Sequence, residues 1–437
     1  MKIEKLEVRK LYGKYDYDVE FNEDVTLLYG KNGCGKTTVL NIITAVITGQ
    51  IYKLYNYDFK RIILNYVLEQ NDDKRNIIVE RKDDELFVNF RNEDTVIKKL
   101  QIGEDVRRRR YPNETLWTEY RDEYPVLDLM RNEFNYVYLA LDRSSDLFDN
   151  EEFYYRRTLR SHEIKEPEVV EPEIRNVEML VSNANSKILN MVQSINDEFR
   201  NEVLKSAVSV SEKDINGITP IKASEVDSIK KSYLKTLREL NLSNEKEEER
   251  YNQFFDELKH PGDIDSYEVD KLLSFLLKSY EMKKIRDIVN IARKNEAKKD
   301  RALKPMELFL NTVNEFISQS DYEKYVVIDP VFGRIFFRSE DCEDKLSIQY
   351  LSSGERQLII FFANLIFGVA SGTSGIFVVD EPELSLHLSW QKAFVQKALE
   401  VNNNVQFIFA THSPEIVGKR RNKTKKLERK AVRKKND

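Results

Sequence analysis

An octapeptide near the start of the chain constrains the fold more than any other feature. Residues 30–37 read GKNGCGKT and satisfy the pattern G-x-x-x-x-G-K-[ST]. The apolar run Val25–Tyr29 precedes this segment, and from Thr37 onward apolar residues recur with helical spacing. A strand, a glycine-rich turn and a helix in this order are the context of a P-loop, whose backbone N–H groups bind phosphate. We therefore predict a nucleoside triphosphate site at residues 30–37.

The residue types in the P-loop have distinct predicted roles. Lys36 reaches the terminal phosphates, and the hydroxyl of Thr37 reaches Mg²⁺. The predicted nucleotide-binding residues of this segment are Gly30, Asn32, Gly33, Gly35, Lys36, Thr37 and Thr38. The alternative is a glycine-rich turn without a ligand. A chance match to the pattern in a chain of this length is on the order of one in a hundred, and the flanking strand and helix make it rarer.

Two further apolar strands end in polar residues that suit ATP hydrolysis. The run Gly375–Val379 leads into Asp380 and Glu381, and a second apolar run leads into Thr411 and His412. We predict that Asp380 holds Mg²⁺ and that Glu381 activates the attacking water. His412 is expected to hydrogen-bond the γ-phosphate. Adjacent acids at a strand end are commonly only solvated, and a loop histidine can lack a role, but a P-loop in the same chain favours the chemical interpretation.

A third motif precedes an apolar helix in the C-terminal part of the chain. Residues 351–357 read LSSGERQ. A serine and backbone N–H groups at a helix N-terminus form an anion site, which makes Ser352 and Gly354 predicted phosphate-binding residues. An ordinary N-cap without a ligand uses the same residue types, and both interpretations stay open at this point.

In this order the motifs resemble those of the ABC-type ATPases. The resemblance identifies LSSGE as an LSGGQ-like signature, Asp380–Glu381 as the Walker B acids, Glu383–His387 as a D-loop-like segment and His412 as the switch histidine. In that family the signature of one subunit closes over ATP held by the P-loop of another. The resemblance thus implies a homodimer or a larger even-numbered oligomer with composite sites, and hydrolysis of ATP to ADP and phosphate with Mg²⁺.

Two features depart from that family pattern, and the adenine-binding residue is left with two candidates. Ser353 stands where many members have glycine. No clear Q-loop glutamine follows the apolar run at residues 135–141, where Asp142 and Arg143 stand instead. Tyr12 and Tyr15 are candidates to stack on adenine, and plain packing is an equal alternative for each.

The segments DEPELSLH, ATHSPEI and YGKNGCGKTT resemble those of the group around RecF and the overcoming-lysogenization-defect (OLD) proteins. OLD proteins carry a TOPRIM nuclease domain after the ATPase, whereas 25 residues follow His412 here. The chain therefore resembles a stand-alone ATPase subunit of the PARIS or Septu antiphage systems, more the former. This resemblance implies a sensor or scaffold with a separate nuclease or toxin effector and a phage trigger protein. The alternatives are a RecF- or SMC-like DNA repair ATPase and, least favoured, a transporter motor.

The expected architecture is an α/β head with a parallel sheet and an antiparallel side sheet, interrupted by a helical insertion. The apolar runs at residues 375–379 and 405–410 are expected to be central strands of the parallel sheet, and residues 76–80 and 86–90 a hairpin of the side sheet. We predict residues 1–150 and 319–418 to form the head, residues 151–318 the mostly helical insertion, and residues 419–437 a basic tail. Pro220, the pair Pro261–Gly262 and Pro305 are expected to interrupt the helices, which favours a folded bundle over one long rod.

Composition narrows the remaining functions. The net charge of −5 excludes a polycation that coats nucleic acid. Residues 419–437 nevertheless hold eleven Lys and Arg against two acids, and Arg107–Arg110 form a second basic run. Either run serves nucleic-acid binding or is simply solvated, and ATP binding is expected to survive truncation after Gly418. Because no apolar stretch approaches membrane-helix length, we expect a cytoplasmic protein that does not bind membranes.

Overall fold

The computed structural model describes residues 1–68, 73–98, 122–140, 172–208, 223–239, 244–259, 269–319, 324–339, 342–368, 375–428 and 430–431. Asp142, Arg143, Arg107–Arg110, Pro220 and Pro261–Gly262 lie outside these ranges. The chain divides into two compact units. Residues 1–184 and 307–437 form the first, here the head unit, and residues 185–306 form the second, here the helical unit.

The strands that the structure describes belong to the head unit. In chain order they are β1 (Lys2–Leu11), β2 (Tyr15–Glu20), β3 (Val25–Tyr29), β4 (Arg61–Leu68), β5 (Asp73–Lys82), β6 (Glu85–Phe90), β7 (Glu93–Lys98), β8 (Tyr136–Ala140), β9 (Lys324–Ile328), β10 (Ile335–Ser339), β11 (Cys342–Ser347), β12 (Gly375–Asp380), β13 (Val405–Thr411), β14 (Thr424–Lys426) and β15 (Lys430–Ala431). The α-helices are α1 (Lys36–Ile47), α2 (Val126–Glu133), α3 (Pro172–Val208), α4 (Ala223–Glu239), α5 (Glu245–Lys259), α6 (Val269–Ile317), α7 (Ser353–Ala363), α8 (Leu388–Val401) and α9 (Pro414–Val417).

A five-stranded parallel sheet forms the centre of the head unit, in the order β14-β3-β13-β12-β8. Every residue of β12 and β13 is buried, which confirms that their continuous apolar runs mark central strands covered on both faces. Successive residues of β12 point to opposite faces, so Ile376 packs in the core that includes α1 while Phe377 contacts Phe361 of α7. Both faces of the sheet are therefore apolar, and its polar residues concentrate at the strand ends.

A seven-stranded sheet, β15-β2-β1-β4-β5-β6-β7, packs against the same core, and its pairings described here are antiparallel. It contains the predicted hairpin of residues 76–80 and 86–90, now within β5 and β6. The fully buried side chain of Gln406 links the two sheets. Its Oε1 accepts the Ile3 N–H at 2.7 Å, and its Nε2 donates to the carbonyls of Ile3 and Asn22, each at 2.8 Å.

The helical unit has an apolar core of its own. It contains the buried side chains Val226, Ile229, Tyr233, Leu237, Phe255, Met282, Ile285 and Val289. The expectation that Pro305 interrupts a helix is wrong, because α6 runs through this residue. Proline removes one N–H, which leaves the carbonyl of Arg301 without its usual helical partner. Arg301 is exposed, so water can satisfy that carbonyl, while Phe309 and Val313 anchor the following turns in buried positions.

The basic stretch after Gly418 contributes two strands to the head unit. β14 pairs with β3 in parallel, and β15 pairs with β2 antiparallel. Between them Leu427 is 6% exposed and packs in the main core. Because these strands and Leu427 are part of the head unit, we expect truncation after Gly418 to weaken it, contrary to the expectation from the sequence.

Among the helices that the structure describes, none combines the length and the apolar character that crossing a bilayer requires.

The candidate nucleotide site

The P-loop connects β3 to α1 with two glycines in left-handed conformations. Gly33 has a φ of 76° and Gly35 a φ of 99°, a region that favours glycine. Gly35 is the N-cap of α1, and no side chain caps this helix. The N-terminus of α1 therefore keeps the backbone donors and the positive dipole end that an anionic ligand needs.

Lys36 lies across the loop. The residue is 5% exposed, and its Nζ donates to the carbonyl of Gly30 at 3.1 Å. The ammonium group thus spans the concave side of the loop between its first and its last residues. Thr37 is exposed and Thr38 is half-buried, while Asn32 is exposed on the loop.

Tyr17 of β2 contacts the P-loop, and nothing in the sequence indicates this contact. Its hydroxyl donates to the carbonyl of Cys34 at 2.9 Å. A Cβ on Gly35 would lie 2.7 Å from the same hydroxyl oxygen. Gly35 therefore meets two demands, a left-handed φ and close approach of the tyrosine. A tyrosine in an alternating strand carries no signal of such a role.

Asp380 ends β12 beside the P-loop helix. The residue is 8% exposed, and no hydrogen-bond partner for its buried Oδ1 exists among the described residues. Burial raises the pKa of this carboxyl to about 6, and the charge of Glu381 acts in the same direction. A hydrogen bond with Thr37 and the charge of Lys36 oppose the rise in pKa. The structure thus brings Thr37, Lys36 and Asp380 together.

These residues fit a Mg²⁺ ion. A buried carboxylate oxygen without a partner, next to a threonine hydroxyl, offers the hard oxygen ligands that Mg²⁺ prefers. Within the described ranges, no group of three or more His, Cys, Asp or Glu residues could hold a metal ion alone. Mg²⁺ usually takes one or two protein oxygens and completes its shell with phosphate oxygens and water. Thr37 and Asp380 would hold the ion.

Glu381 follows in a left-handed conformation that turns the chain away from the sheet. Its φ is 50°, and its N–H donates to the carbonyl of Ala410 at 2.9 Å. Nδ1 of His412 lies 3.8 Å from Oε1 of Glu381. The parallel register of β12 and β13 sets Asp380 opposite Ala410, so the residues that follow each strand meet at one edge of the sheet.

A second acid, Glu383, holds the segment that carries His412. Its Oε1 accepts the His412 N–H at 2.8 Å and lies 3.1 Å from Nδ1 of the same residue. Its Oε2 accepts the Thr411 hydroxyl at 2.8 Å. In the sequence, Glu383 stands out only as the start of the D-loop-like segment. Nothing in its spacing indicates a contact with His412, 29 residues later.

Gln391 of α8 connects these two segments. Its Nε2 donates to the carbonyl of Leu386 at 2.9 Å, and its Oε1 accepts the Ser413 hydroxyl at 2.7 Å. Gln391 is 8% exposed. The D-loop-like segment and the His412 segment therefore share buried hydrogen bonds.

Ser352 is the N-cap of α7 and forms a capping box with Glu355. The Ser352 N–H donates to Oε2 of Glu355 at 2.7 Å, and the Glu355 N–H donates to the Ser352 hydroxyl at 3.3 Å. Ser352 is therefore an N-cap, and it is exposed at the N-terminus of the helix. Gly354 permits a close approach, since a Cβ there would lie 2.4 Å from the carbonyl oxygen of Ser385. The signature thus packs on the D-loop-like segment of its own chain.

The two adenine candidates differ in their surroundings. Tyr12 is 48% exposed in the turn between β1 and β2, with a φ of 52°. Tyr15 is half-buried and packs against the main core. The contacts of Tyr15 favour the packing interpretation for this residue, whereas Tyr12 is exposed enough to contact a ligand.

Two curated proteins resemble parts of this chain. One is the Retron Vc95 probable ATPase of Vibrio cholerae serotype O1 biovar El Tor, 26% identical over 189 residues that cover 38% of this chain and 36% of the relative. The other is the Retron Ec83 probable ATPase of Escherichia coli, 33% identical over 81 residues that cover 16% of this chain and 15% of the relative. The matched segments thus span about a third of the length of the first relative and less of the second.

Among solved structures, a likeness extends over nearly the whole chain at low identity. The Smc head domain of Pyrococcus furiosus, with an extended coiled coil and bound to the C-terminal domain of ScpA, has a TM-score of 0.40 and 14% identity, with 98% of this chain and 95% of that chain covered. A second SmcHead structure, bound to the C-winged helix domain of ScpA, has a TM-score of 0.41 and 12% identity, with 99% and 97% covered.

A protein-family model also matches most of the chain. The family model AAA_15, described as an AAA ATPase domain, matches residues 1–417. That span contains the P-loop, the acids after β12 and the segment that carries His412. This protein therefore belongs to the AAA_15 family of AAA ATPase domains.

Proposed function

We propose that this protein binds ATP with Mg²⁺ at the P-loop and hydrolyses it to ADP and phosphate. The observation that carries the proposal is the grouping of Thr37, Lys36 and Asp380, with Glu381 and His412 following on the same sheet edge. A phosphate cradle alone supports binding. An adjacent carboxylate outside the metal position adds a base for water, which supports hydrolysis.

Each residue then has a defined task. Lys36 and the N-terminus of α1 bind the β- and γ-phosphates, and Thr37 and Asp380 hold the metal. Bound Mg²⁺ supplies charge neutralisation on the phosphate oxygens. Glu381 accepts a proton from the attacking water, and His412 orients the γ-phosphate. The part-exposed side chain of Glu381 and the exposed side chain of His412 leave both groups accessible to substrate.

We further propose that two copies complete the site. The N-terminus of α7 at Ser352 is exposed and lies against the D-loop-like segment of its own chain, which suits binding to the γ-phosphate of a neighbouring copy. A homodimer would contain two such sites, and a larger even-numbered oligomer would repeat them.

For the biological role, we propose the ATPase subunit of an antiphage system, PARIS-like in organisation, which restrains a separate nuclease or toxin effector until a phage trigger protein arrives. The support is the resemblance of the motifs to antiphage ATPase subunits, together with two relatives named as retron probable ATPases. In the alternative function, a DNA repair ATPase, the basic stretch after Gly418 would bind DNA. There, Lys423 pairs with Asp24 and Lys426 with Glu428, which weakens the support for nucleic-acid binding.

Hydrolysis is tested with two variants. Lys36→Ala should abolish ATP binding, whereas Glu381→Gln should still bind ATP and Mg²⁺ and turn over at least about 100-fold more slowly. ATP binding and phosphate release are measured for both. Normal turnover in Glu381→Gln would remove Glu381 from the role of base.

The shared site and the role need separate tests. Ser352→Arg should block hydrolysis, and mixing it with Lys36→Ala protein should restore part of it through one intact pairing. No rescue in mixed dimers shown to form would contradict shared sites.

To test the proposed role in antiphage defence, cells that express the gene with its neighbours are challenged with phage. Protection that survives Lys36→Ala would contradict an ATP-dependent defence function.

A further inference from the structure

The His412 segment is held by a buried carboxylate, Glu383, whose charge also acts on Asp380. Glu383 is 7% exposed, and its two oxygens bind three groups of neighbouring residues. These are the Thr411 hydroxyl, the His412 N–H and Nδ1 of the His412 ring. Placing a carboxylate away from water is costly, and three contacts on one short segment offset that cost.

The contacts determine which nitrogen of His412 faces which group. Nδ1 of the ring lies 3.1 Å from Oε1 of Glu383, and a carboxylate oxygen only accepts hydrogen bonds, which favours the ring form with a hydrogen on Nδ1. The same oxygen accepts the backbone N–H of His412 at 2.8 Å, which restricts both the main chain and the ring. The His412 side chain remains 42% exposed, so the Nε2 edge is the one open to a ligand.

Further hydrogen bonds connect Glu383 to Ser413 and Gln391. The Thr411 hydroxyl that donates to Oε2 accepts the Ser413 N–H at 3.0 Å, and the Ser413 hydroxyl donates to Gln391. Gln391 in turn donates to the carbonyl of Glu383 at 3.3 Å. Glu383 is therefore bound to the His412 segment directly through its side chain, and its main chain is linked to Ser413 through Gln391.

We propose that Glu383 is a positioning residue that holds the His412 ring with its hydrogen on Nδ1 and its Nε2 toward the nucleotide. This inference rests on the proposed ATP hydrolysis. With Nδ1 held at Glu383, the Nε2 edge is the one left for an oxygen of the γ-phosphate. Glu383 itself does not touch the phosphate, so it acts on turnover through His412 and leaves ATP binding to the P-loop.

The kinetic test is a double-mutant cycle on the full chain. Glu383→Ala and His412→Ala should each lower kcat by about 10-fold or more with little change in KM, and the double variant should be no slower than His412→Ala. Glu383→Gln keeps an acceptor of similar shape and should lose less than Glu383→Ala. Glu415→Gln is the matched control, because Glu415 lies three residues after His412, is part-exposed and faces Lys392.

A spectroscopic measurement separates this inference from the proposed function. Nitrogen NMR of histidine-labelled protein, assigned with His412→Ala, should show a hydrogen on Nδ1 of His412 in the wild type and a mixture of ring forms in Glu383→Ala. Wild-type protein without Lys36-dependent turnover would overturn the proposed hydrolysis, while the NMR signals still test Glu383. Unchanged signals in folded Glu383→Ala, or losses in kcat that multiply in the double variant, would overturn the positioning role.

Discussion

The P-loop and the His412 segment lie in the same site but are organised in different ways. The P-loop is shaped by its own backbone, with two glycines in left-handed conformations and Lys36 bonded to the carbonyl six residues earlier. The His412 segment is shaped by side chains from elsewhere, chiefly Glu383 and Gln391. A phosphate cradle can thus be recognised in a short stretch of sequence, whereas a segment oriented by distant residues cannot.

The largest expected effect tests how self-sufficient the P-loop is. Truncation after Gly418 removes β14, β15 and Leu427, whose N–H donates to the carbonyl of Tyr29 directly before the loop. Burial of one leucine contributes about 2–3 kcal/mol, and the lost strand hydrogen bonds add about 1 kcal/mol each. We expect ATP binding to be lost and the unfolding free energy to fall by about 4 kcal/mol or more. Calorimetry and denaturant unfolding measure both quantities.

A shorter truncation serves as the control. Removal of residues 432–437 leaves both strands in place and should preserve ATP affinity. Full ATP affinity in the protein truncated after Gly418 would show that the loop needs no support from the C-terminal strands.

The next effect concerns the backbone of the loop itself. Gly35→Ala places a side chain at a φ of 99° and 2.7 Å from the Tyr17 hydroxyl, so the loop must shift. We expect ATP affinity to fall by about 100-fold, measured by titration with a fluorescent ATP analogue. Gly13→Ala is the control, since Gly13 has a φ of 68° with no atom near its would-be Cβ. Equal losses in both variants would indicate general strain, not a distorted loop.

An intermediate effect is expected where the signature meets the D-loop-like segment. Gly354→Ala would bring a methyl group 2.4 Å from the carbonyl oxygen of Ser385, so either α7 or the segment must move. We expect turnover to fall about 10-fold while ATP binding to the P-loop stays unchanged. Steady-state kinetics and ATP titration distinguish these two effects. Weakened ATP binding with normal kcat would place the defect in the P-loop instead.

The smallest expected effect concerns the hydrogen bond between Tyr17 and the P-loop. Tyr17→Phe removes the hydrogen bond to Cys34 without changing the packing of the ring. A loss of about 1 kcal/mol corresponds to roughly fivefold weaker ATP binding. Tyr15→Phe on the same strand is the control. Identical ATP affinity in Tyr17→Phe and the wild type would mean that the glycines alone hold the loop.

Much of the fold could be predicted because its signals are short-range. The apolar runs of β12 and β13 predicted buried parallel strands, and the structure confirms them. The spacing of Leu86–Phe90 against residues 76–80 likewise predicted a hairpin. Such patterns report which face of an element is buried, and that information lies within a few residues of chain.

Other features depended on contacts between distant residues. β14 reads TKK and carries no apolar pattern, yet it pairs with β3, because an open edge beside a buried strand supplies its hydrogen bonds. Pro305 stays inside α6 because its neighbours are anchored in a core. In the site, the roles of Glu383 and Tyr17 depend on partners 29 and 17 positions away.

The sequence by itself determined that this protein has a P-loop, acids at the end of a buried strand and a histidine after the next one. Those features depend on residue type and local spacing, which the sequence states directly. The contacts of Glu383 with His412, the hydrogen bond of Tyr17 to the loop and the pairing of the strands after Gly418 with both sheets are visible only in the tertiary structure. Each of these depends on which distant atoms come within hydrogen-bonding distance, a property of the packed chain that local periodicity does not encode.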